Sequence, residues 1–338
     1  MIFACDVGGT KTNVALLESN GDALEIVRLA TYRSREHASL DEIVDAFLGV
    51  DAIPLEAAGF GVAGPVIGGQ AITTNLPWHI DARQLADRLG LPTAVLLNDI
   101  EAHAWAVDRL ADADLLTLQS GSFEVGNVAV VAAGTGFGVS AMLRSAGTSV
   151  SLASEGGHAD FAARSALEAD LLGFLRSRFG RVSVERVLSG PGLVHLYEFL
   201  RESGGAGEPE WLHSAMRGSD APAAITQAAM IGRSETCARA VDLFLELYGA
   251  EAGNWALRTL ATGGVYLGGG IAAKVLGASS GASDAWHQRA CGIFLKGFRE
   301  KGRFQPMLES IPVRVIVNEI APLIGAAHCA MATRVARH

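Results

Sequence analysis

Residues 2–17 read IFACDVGGTKTNVALL, two apolar runs joined by a polar, glycine-rich turn. This pattern predicts a β-hairpin. Glycines in the turn would let the backbone approach an anion closely, and threonines and a lysine would add hydroxyl groups and positive charge. The turn therefore suits a phosphate, although a solvent-exposed turn without a ligand explains the same residues. The candidate phosphate ligands are Gly8, Gly9, Thr10, Lys11 and Thr12.

Asp6 ends the first apolar run, at the base of this turn. A carboxylate there could hold Mg²⁺ through water, because this ion keeps several waters when it binds carboxylates and phosphates. The turn does not fit a Walker loop, since the glycine and lysine spacing differs and no helix pattern follows.

Composition limits the class of protein. The chain has 338 residues, 49% hydrophobic and 19% charged, with a net charge of −9. This length suffices for two domains. No apolar run approaches the roughly 20 residues that span a bilayer, and the first residues lack the charged and apolar regions of a signal peptide, so we expect a cytoplasmic protein with no membrane partner. The negative charge argues against a nucleic-acid partner, and four scattered cysteines predict neither disulfides nor a zinc site.

The first part of the chain reads as an α/β domain. After the hairpin, a third strand is followed by alternating helices and strands, so the later strands are expected to be parallel, with ligands at their carboxyl ends. The predicted elements are a strand at 23–32, a helix at 40–48, a strand at 57–62, a helix at 81–89, a strand at 93–97 and a helix at 100–110.

Residues 127–143 resemble the opening hairpin. When the Gly-Thr pairs of the two segments are aligned, Val139 falls on Val14. Chance similarity between two short turns is one explanation. If the repeat is real, two similar domains each offer a phosphate-binding turn to one central cleft, where ligands often bind. The second turn would consist of Gly134, Thr135 and Gly136.

The rest of the chain predicts a second, larger and helix-rich domain. Helical patterns cover 165–179, 185–200 and, with a break near Gly232, 221–260, and glycine-rich loops are expected at 204–207 and 277–283. A strand at 313–317 and a helix at 323–335 are expected to rejoin the first domain. The predicted domains are therefore 1–110 with 311–338, and 111–310.

Residues 263–272, GGVYLGGGIA, place a short strand between two glycine clusters. Glycines there would let the backbone lie flat against a base or ribose, although a packing turn needs glycine too. The candidate nucleotide ligands are Gly264, Gly269 and Gly270.

Asn98 and Asp99 follow a buried strand of the first domain. Asp99 is a candidate catalytic base, because a carboxylate at a strand end could accept the proton of a substrate hydroxyl as it attacks phosphorus. A structural alternative is a capping box, since Glu101 lies three residues after Asn98.

Residues 154–158, SEGGH, place Glu155 and His158 around two glycines, and Glu185 adds a second carboxylate. Carboxylates, an amide and an imidazole suit the hydroxyls of a sugar, since each carboxylate can accept from two neighbouring OH groups. Solvated loop side chains are the simpler alternative. No H-E-x-x-H motif indicates a metal cluster.

With these motifs, the sequence resembles the bacterial-type glucokinase family of the sugar kinase, Hsp70 and actin superfamily, over nearly the whole chain. The segments that carry the resemblance are residues 6–12, 97–99, 134–138, 154–158, 185–190 and 263–271. The resemblance implies two ribonuclease-H-like (actin-like ATPase) domains that close around a sugar and ATP, commonly in a homodimer. It also implies that Asp99 is the base for the 6-hydroxyl of glucose and that the remaining hydroxyls bind to Asn98, Glu155, His158 and Glu185.

The resulting hypothesis is ATP- and Mg²⁺-dependent phosphorylation of glucose to glucose 6-phosphate, which enters glycolysis. Two alternatives remain open: a kinase for another hexose, such as mannose or an N-acetylated sugar, and a sugar sensor without catalysis. A chaperone or filament ATPase of the same superfamily would have no use for the sugar-reading side chains.

Overall fold

The computed structural model describes residues 1–20, 23–49, 53–73, 76–122, 125–204, 207, 209–218, 220–277 and 283–335. The contacts divide the chain into two compact units. The first comprises Met1–Leu115, Ser140–Ala153 and Asn318–His338, and the second comprises Leu116–Val139 and Ser154–Val317.

The secondary structure alternates strands and helices along most of the chain. The strands are β1 (Ile2–Val7), β2 (Lys11–Asn20), β3 (Ala23–Arg33), β4 (Ala57–Val62), β5 (Val66–Ile67), β6 (Gln70–Ile72), β7 (His79–Asp81), β8 (Val95–Asn98), β9 (Leu115–Gln119), β10 (Val128–Ala133), β11 (Phe137–Ser145), β12 (Thr148–Leu152), β13 (Gly264–Gly268) and β14 (Val313–Ile316). The helices are α1 (Leu40–Leu48), α2 (Ala82–Arg88), α3 (Asp99–Ala106), α4 (Ala166–Phe179), α5 (Gly190–Ser203), α6 (Glu210–Gly218), α7 (Ala221–Met230), α8 (Glu235–Thr259), α9 (Gly269–Leu276), α10 (Asp284–Arg299), α11 (Gln305–Ser310) and α12 (Ala321–Val335).

The first unit is built on a sheet with the order β3-β2-β1-β4-β8. Strands β1 and β2 form the predicted antiparallel hairpin, and β1, β4 and β8 are parallel. Side chains of β1 alternate between two cores: Phe3 and Cys5 pack with residues of α1, and Ile2 and Ala4 pack with residues of α12. This period of two is what a strand covered on both faces requires.

The second sheet has the order β12-β11-β10-β13-β14-β9. Strands β10, β13 and β14 are parallel, and β11 passes from the second unit into the first at Ser140. Helix α8 is buried along much of its length, and its Tyr248 donates a hydrogen bond of 2.9 Å from Oη to the carbonyl of Val131 in β10. This bond satisfies a phenol that would otherwise be buried without a partner.

The C-terminal strand differs from its prediction. Strand β14 pairs with β13, with Val313 opposite Val265, and belongs to the second unit. Only the final helix, α12, packs in the first unit, where Leu323 and Ala327 contribute to the core beneath β1. The first unit therefore resumes at Asn318, because the hydrogen bonds of β14 are made within the second sheet.

Other predicted elements lie close to the observed ones, with specific differences. The helix at 40–48 and the strand at 57–62 are confirmed, whereas the helix predicted at 185–200 begins at Gly190, because Ser189 caps it. Helices α6, α10 and α11 were not predicted. Residues 278–282 of the predicted loop at 277–283, and residues 205 and 206 of the other, lie outside the described residues. Among the residues that are described, no helix has the length and apolar character needed to cross a membrane.

Candidate active site

Asp6 lies at the carboxyl end of β1, partly buried, and its Oδ2 accepts a hydrogen bond of 3.3 Å from Asn13 Nδ2. Asn13 is held in turn by Thr31, whose hydroxyl donates to Asn13 Oδ1 over 2.9 Å. Burial raises the pKa of Asp6 to about 6, although the bond from Asn13 and the charge of Lys11 act in the opposite direction. Burial disfavours the charged form of this carboxylate, and a cation bound nearby would stabilise it. Asp6 therefore fits a cation site at this edge of the sheet.

The first turn is tied together by Ser34. The Ser34 hydroxyl donates to the Gly8 carbonyl over 2.7 Å, and the Ser34 N–H donates to the Thr10 carbonyl over 3.1 Å. Thr12 is fully buried with its Oγ1 2.9 Å from Ser34 Oγ. The Thr12 hydroxyl thus lies on the inner side of the turn, where it contacts Ser34 and helps to hold the turn together.

Thr10 and Lys11 are exposed at the tip of the turn, and Gly8 and Gly9 are partly exposed beside them. Lys11 Nζ lies 3.4 Å from a carboxylate oxygen of Glu319, and both side chains are more than half exposed. Exposed pairs of this kind are weak, so Lys11 can exchange Glu319 for a phosphate group.

Asn98 caps helix α3 through a complete capping box. Its Oδ1 accepts from the N–H of Ile100 over 2.8 Å, and its own N–H donates to Glu101 Oε2 over 3.3 Å. Asn98 Nδ2 also donates to the Gly64 carbonyl over 3.0 Å. The predicted capping box is thus confirmed, and the amide retains one N–H with which it can contact a ligand.

Asp99 is the first residue of α3 and is partly buried. Its Oδ1 accepts from the N–H of Ile100 over 3.0 Å, and its carbonyl lies 3.0 Å from Nδ1 of the partly buried His103. Glu101 is 8% exposed and holds this segment in place, because its Oε1 accepts a hydrogen bond of 2.9 Å from the hydroxyl of Ser151. The carboxylate of Asp99 is therefore oriented by its own backbone and by a satisfied, rigid cap.

Asp6 and Asp99 share one edge of the first sheet. Strand β4 separates them: Asp6 is opposite Gly61, and Asn98 is opposite Val62. Two strand spacings correspond to roughly 10 Å. The structure thus brings the predicted metal ligand and the predicted base to the carboxyl edge, where ligands of parallel sheets bind.

In the second unit, Glu185 joins the predicted sugar-reading residues to the second phosphate turn. Its Oε2 accepts a hydrogen bond of 2.9 Å from the N–H of Phe137, the residue that directly follows the turn. His158 lies between two carboxylates, with Nδ1 3.9 Å from Glu185 Oε1 and Nε2 3.9 Å from Glu155 Oε2. These three side chains are 33–58% exposed, so their acceptor atoms are both clustered and accessible.

A cavity of about 1260 Å³ within the second unit adjoins this turn. Gly134, Thr135 and Gly270 line it, as the nucleotide prediction requires. The first residues of α5, α7 and α9 also line the cavity. The N-termini of helices carry partial positive charge, which favours phosphate binding. Sequence reasoning missed these lining residues of the helices: Gly190, Pro191, Pro222 and Lys274.

Two of the predicted nucleotide glycines have other positions. Gly264 begins β13 and is buried at its amino end, at the opposite end of the strand from the carboxyl edge where ligands of parallel sheets bind. Gly269 has φ +81°, and a Cβ there would lie 2.3 Å from the Ala133 carbonyl. Gly269 thus supports the turn from β13 to α9, and Gly270 faces the cavity.

Within the described ranges, no group of three His, Cys, Asp or Glu side chains could hold a metal ion. A magnesium ion bound mainly by phosphates and water requires only one or two carboxylates. Asp6 is the residue whose burial and raised pKa fit that requirement.

Comparisons with known proteins agree with these features. The family model described as Glucokinase matches residues 3–333. A glucokinase of Nostoc sp. strain PCC 7120 is 40% identical over 98% of both chains. The crystal structure of a glucokinase from an Antarctic psychrotroph has a TM-score of 0.83 and 30% identity, covering 98% of each chain. A ROK family glucokinase from Streptomyces griseus, in complex with glucose and AMPPNP, matches in fold, with a TM-score of 0.64 and 20% identity over 98% of this chain and 99% of that one.

These likenesses confirm the predicted α/β class, with two actin-like ATPase-type domains. The whole-length match and the sequence motifs, now placed in the structure, support the same assignment. The chain belongs to the glucokinase family.

Proposed function

We propose that this kinase transfers the γ-phosphoryl group of ATP to the 6-hydroxyl of glucose and releases glucose 6-phosphate and ADP. The observation that carries the proposal is the cluster of Glu155, His158 and Glu185, whose accessible acceptors suit sugar hydroxyls. Its presence in a whole-length member of the glucokinase family distinguishes this chain from ATPases without a sugar substrate.

Asp99 is the proposed general base. Its carboxylate accepts the proton of the 6-hydroxyl as that oxygen attacks the γ-phosphorus, and the bond to the leaving ADP oxygen breaks. The capping box of Asn98 and Glu101 keeps the carboxylate in one orientation, so little conformational entropy is lost when the sugar arrives. Asn98 contributes its remaining N–H to a neighbouring sugar hydroxyl.

The other hydroxyls bind to Glu155, His158 and Glu185. Each carboxylate has lone pairs for a sugar OH in addition to its present contacts, and the imidazole can accept or donate according to its tautomer. Hydrogen bonds from several hydroxyls restrain the sugar ring and bring the 6-hydroxyl to a defined position, which is where much of the rate enhancement in phosphoryl transfer arises.

ATP binds in the cavity of the second unit, with phosphates at Gly134, Thr135 and Gly136 and the adenosine beside Gly270. The first turn, Gly8 to Lys11, supplies backbone and lysine donors to the phosphates. Mg²⁺, held through water by Asp6, would neutralise phosphate charge when bound. We further propose a cytoplasmic homodimer, as the family resemblance implies.

The test is a coupled assay of ADP release with Mg²⁺ and ATP. Glucose, mannose, fructose, N-acetylglucosamine and no sugar are compared, with D99N as the matched inactive control. We expect strong dependence on glucose. Strong ADP release with another hexose instead of glucose would identify that hexose as the substrate. Glucose binding without phosphoryl transfer from any donor would favour a sugar sensor.

A further inference from the structure

The two oxygens of the Glu185 carboxylate have different partners. Oε2 accepts the 2.9 Å hydrogen bond from the Phe137 N–H, at the end of the second phosphate turn. Oε1 faces His158 Nδ1 at 3.9 Å, in the loop of residues 154–158 that is proposed to bind the sugar. One side chain thus touches both the segment proposed to hold phosphate and the segment proposed to hold sugar.

The backbone around Glu185 is fastened to the same turn. The Gly190 N–H donates to the Gly134 carbonyl over 2.8 Å, and the Ser189 hydroxyl donates to the Glu185 carbonyl over 2.7 Å. Within the turn, the Gly134 N–H donates to the Gly136 carbonyl over 2.9 Å. A displacement of the Glu185 segment is therefore transmitted to the turn by direct hydrogen bonds.

Gly136 shows how closely the carboxylate approaches. A Cβ at this position would lie 2.6 Å from Glu185 Oε2, which is too short for a non-bonded contact. The carboxylate occupies the space of the missing side chain, and from there its Oε2 accepts the hydrogen bond from the N–H of Phe137.

We propose that Glu185 is a positioning residue that couples glucose binding to nucleotide binding, an inference that rests on the proposed function. A sugar hydroxyl donating to Oε1 orders the carboxylate, and the ordered Oε2 holds the N–H of Phe137 and the phosphate turn in their binding positions. By thermodynamic linkage, a nucleotide that orders the turn strengthens glucose binding by the same factor.

Glu155 provides the matched comparison. It faces His158 at 3.9 Å from the other side of the ring, and among the described residues no hydrogen bond joins its side chain to the phosphate turn. Removing the Glu155 carboxylate should weaken glucose without uncoupling it from the nucleotide.

The experiment is calorimetric titration of glucose with and without Mg·AMPPNP, and of Mg·AMPPNP with and without glucose. For the unmodified protein we expect each ligand to tighten the other by a factor of roughly 5 to 150. In E185A the factor should fall to about one, whereas E155A should keep it despite weaker glucose binding. E185Q should retain part of it, because the amide oxygen can still accept from Phe137.

G136A is a second route to the same loss, because a Cβ there displaces Oε2 without removing Glu185. The inference is overturned if the unmodified protein binds both ligands with no mutual effect, or if E185A or G136A, whichever is folded, keeps the full factor. If the unmodified protein binds AMPPNP but no glucose, the proposed function itself is wrong and the inference falls with it.

Discussion

Gly156 lies directly against the indole ring of Trp255: a Cβ on Gly156 would be 2.6 Å from Cζ2 of that ring and 2.7 Å from Cγ2 of Val139. Trp255 is 6% exposed and belongs to the long helix α8. The loop of residues 154–158, which we propose binds the sugar, therefore packs on a rigid aromatic surface, and Gly156 permits this close approach.

The first prediction concerns this contact. G156A should raise the KM for glucose by roughly 10- to 100-fold, because a shift of about 1 Å in a positioning segment has effects of that size. The KM for ATP should change much less. Steady-state kinetics with each substrate varied in turn measures both values.

The matched control for this prediction is G173A, in helix α4, where an added Cβ meets nothing within 4 Å. Alanine in place of glycine inside a helix should leave kinetics unchanged and stabilise the fold slightly. Equal glucose KM values for G156A and the unmodified protein would show that glucose binding does not depend on the packing of Gly156 against Trp255.

A second prediction tests the proposed base. D99N should retain glucose affinity within a few-fold and lose turnover by roughly 10²- to 10⁴-fold, the usual contribution of a general base. Asparagine preserves the shape of the residue and can still accept from the N–H of Ile100. Calorimetry of glucose binding and the ADP-release assay separate the two effects.

D112N is the control for D99N, because Asp112 is exposed in a short turn of the same unit. It should match the unmodified protein in both measurements. Turnover of D99N near the unmodified level would remove Asp99 from the mechanism.

A third prediction follows from the raised pKa of Asp6. Burial raises this pKa from 3.8 to about 6, so between these values the folded chain binds more protons than the unfolded chain. The free energy of unfolding therefore falls as the pH rises through this interval, and the loss persists above it. D6N lacks this titration, so without divalent cations its melting temperature should exceed that of the unmodified protein increasingly from pH 4.5 to 7.

Added Mg²⁺ and ATP should reverse this difference at pH 7, because ligands that bind the folded chain stabilise it, and only the unmodified protein offers the carboxylate. The reversal should weaken below pH 6, since protons compete for the same oxygens. A constant difference between the two proteins at all pH values would contradict the assignment.

The hairpin, the α/β order and the site motifs could be predicted because each depends on residues close in sequence. The environments of two motif residues could not be predicted in the same way. The environment of Thr12 follows from the alternation of β2, and that of Gly264 from which end of β13 it occupies; composition of the motif alone records neither.

Contacts between residues far apart in the chain could not be predicted from the sequence. The hydrogen bond from Phe137 to Glu185 and the seat of Gly156 on Trp255 join segments far apart in the chain. The same holds for the cavity, which forms only when the N-termini of three helices meet. Lys274 belongs to an ordinary helical pattern in the sequence, and only the folded structure shows that it lines the cavity.

The last prediction concerns Lys274, which lies one helical turn after Gly270 on α9 and, like it, lines the cavity. Its exposed ammonium group can reach a nucleotide phosphate, and hydrogen bonds to charged groups contribute about 1.5–3 kcal/mol. K274M should therefore raise the KM for ATP by about tenfold or more, with little change in the KM for glucose. K296M is the control, because Lys296 pairs with Glu246 at 3.9 Å elsewhere in the second unit. Since an ionic contact is screened by salt, the KM ratio of K274M to the unmodified protein should shrink as KCl is raised; equal effects of both variants, or of both substrates, would remove Lys274 from nucleotide binding.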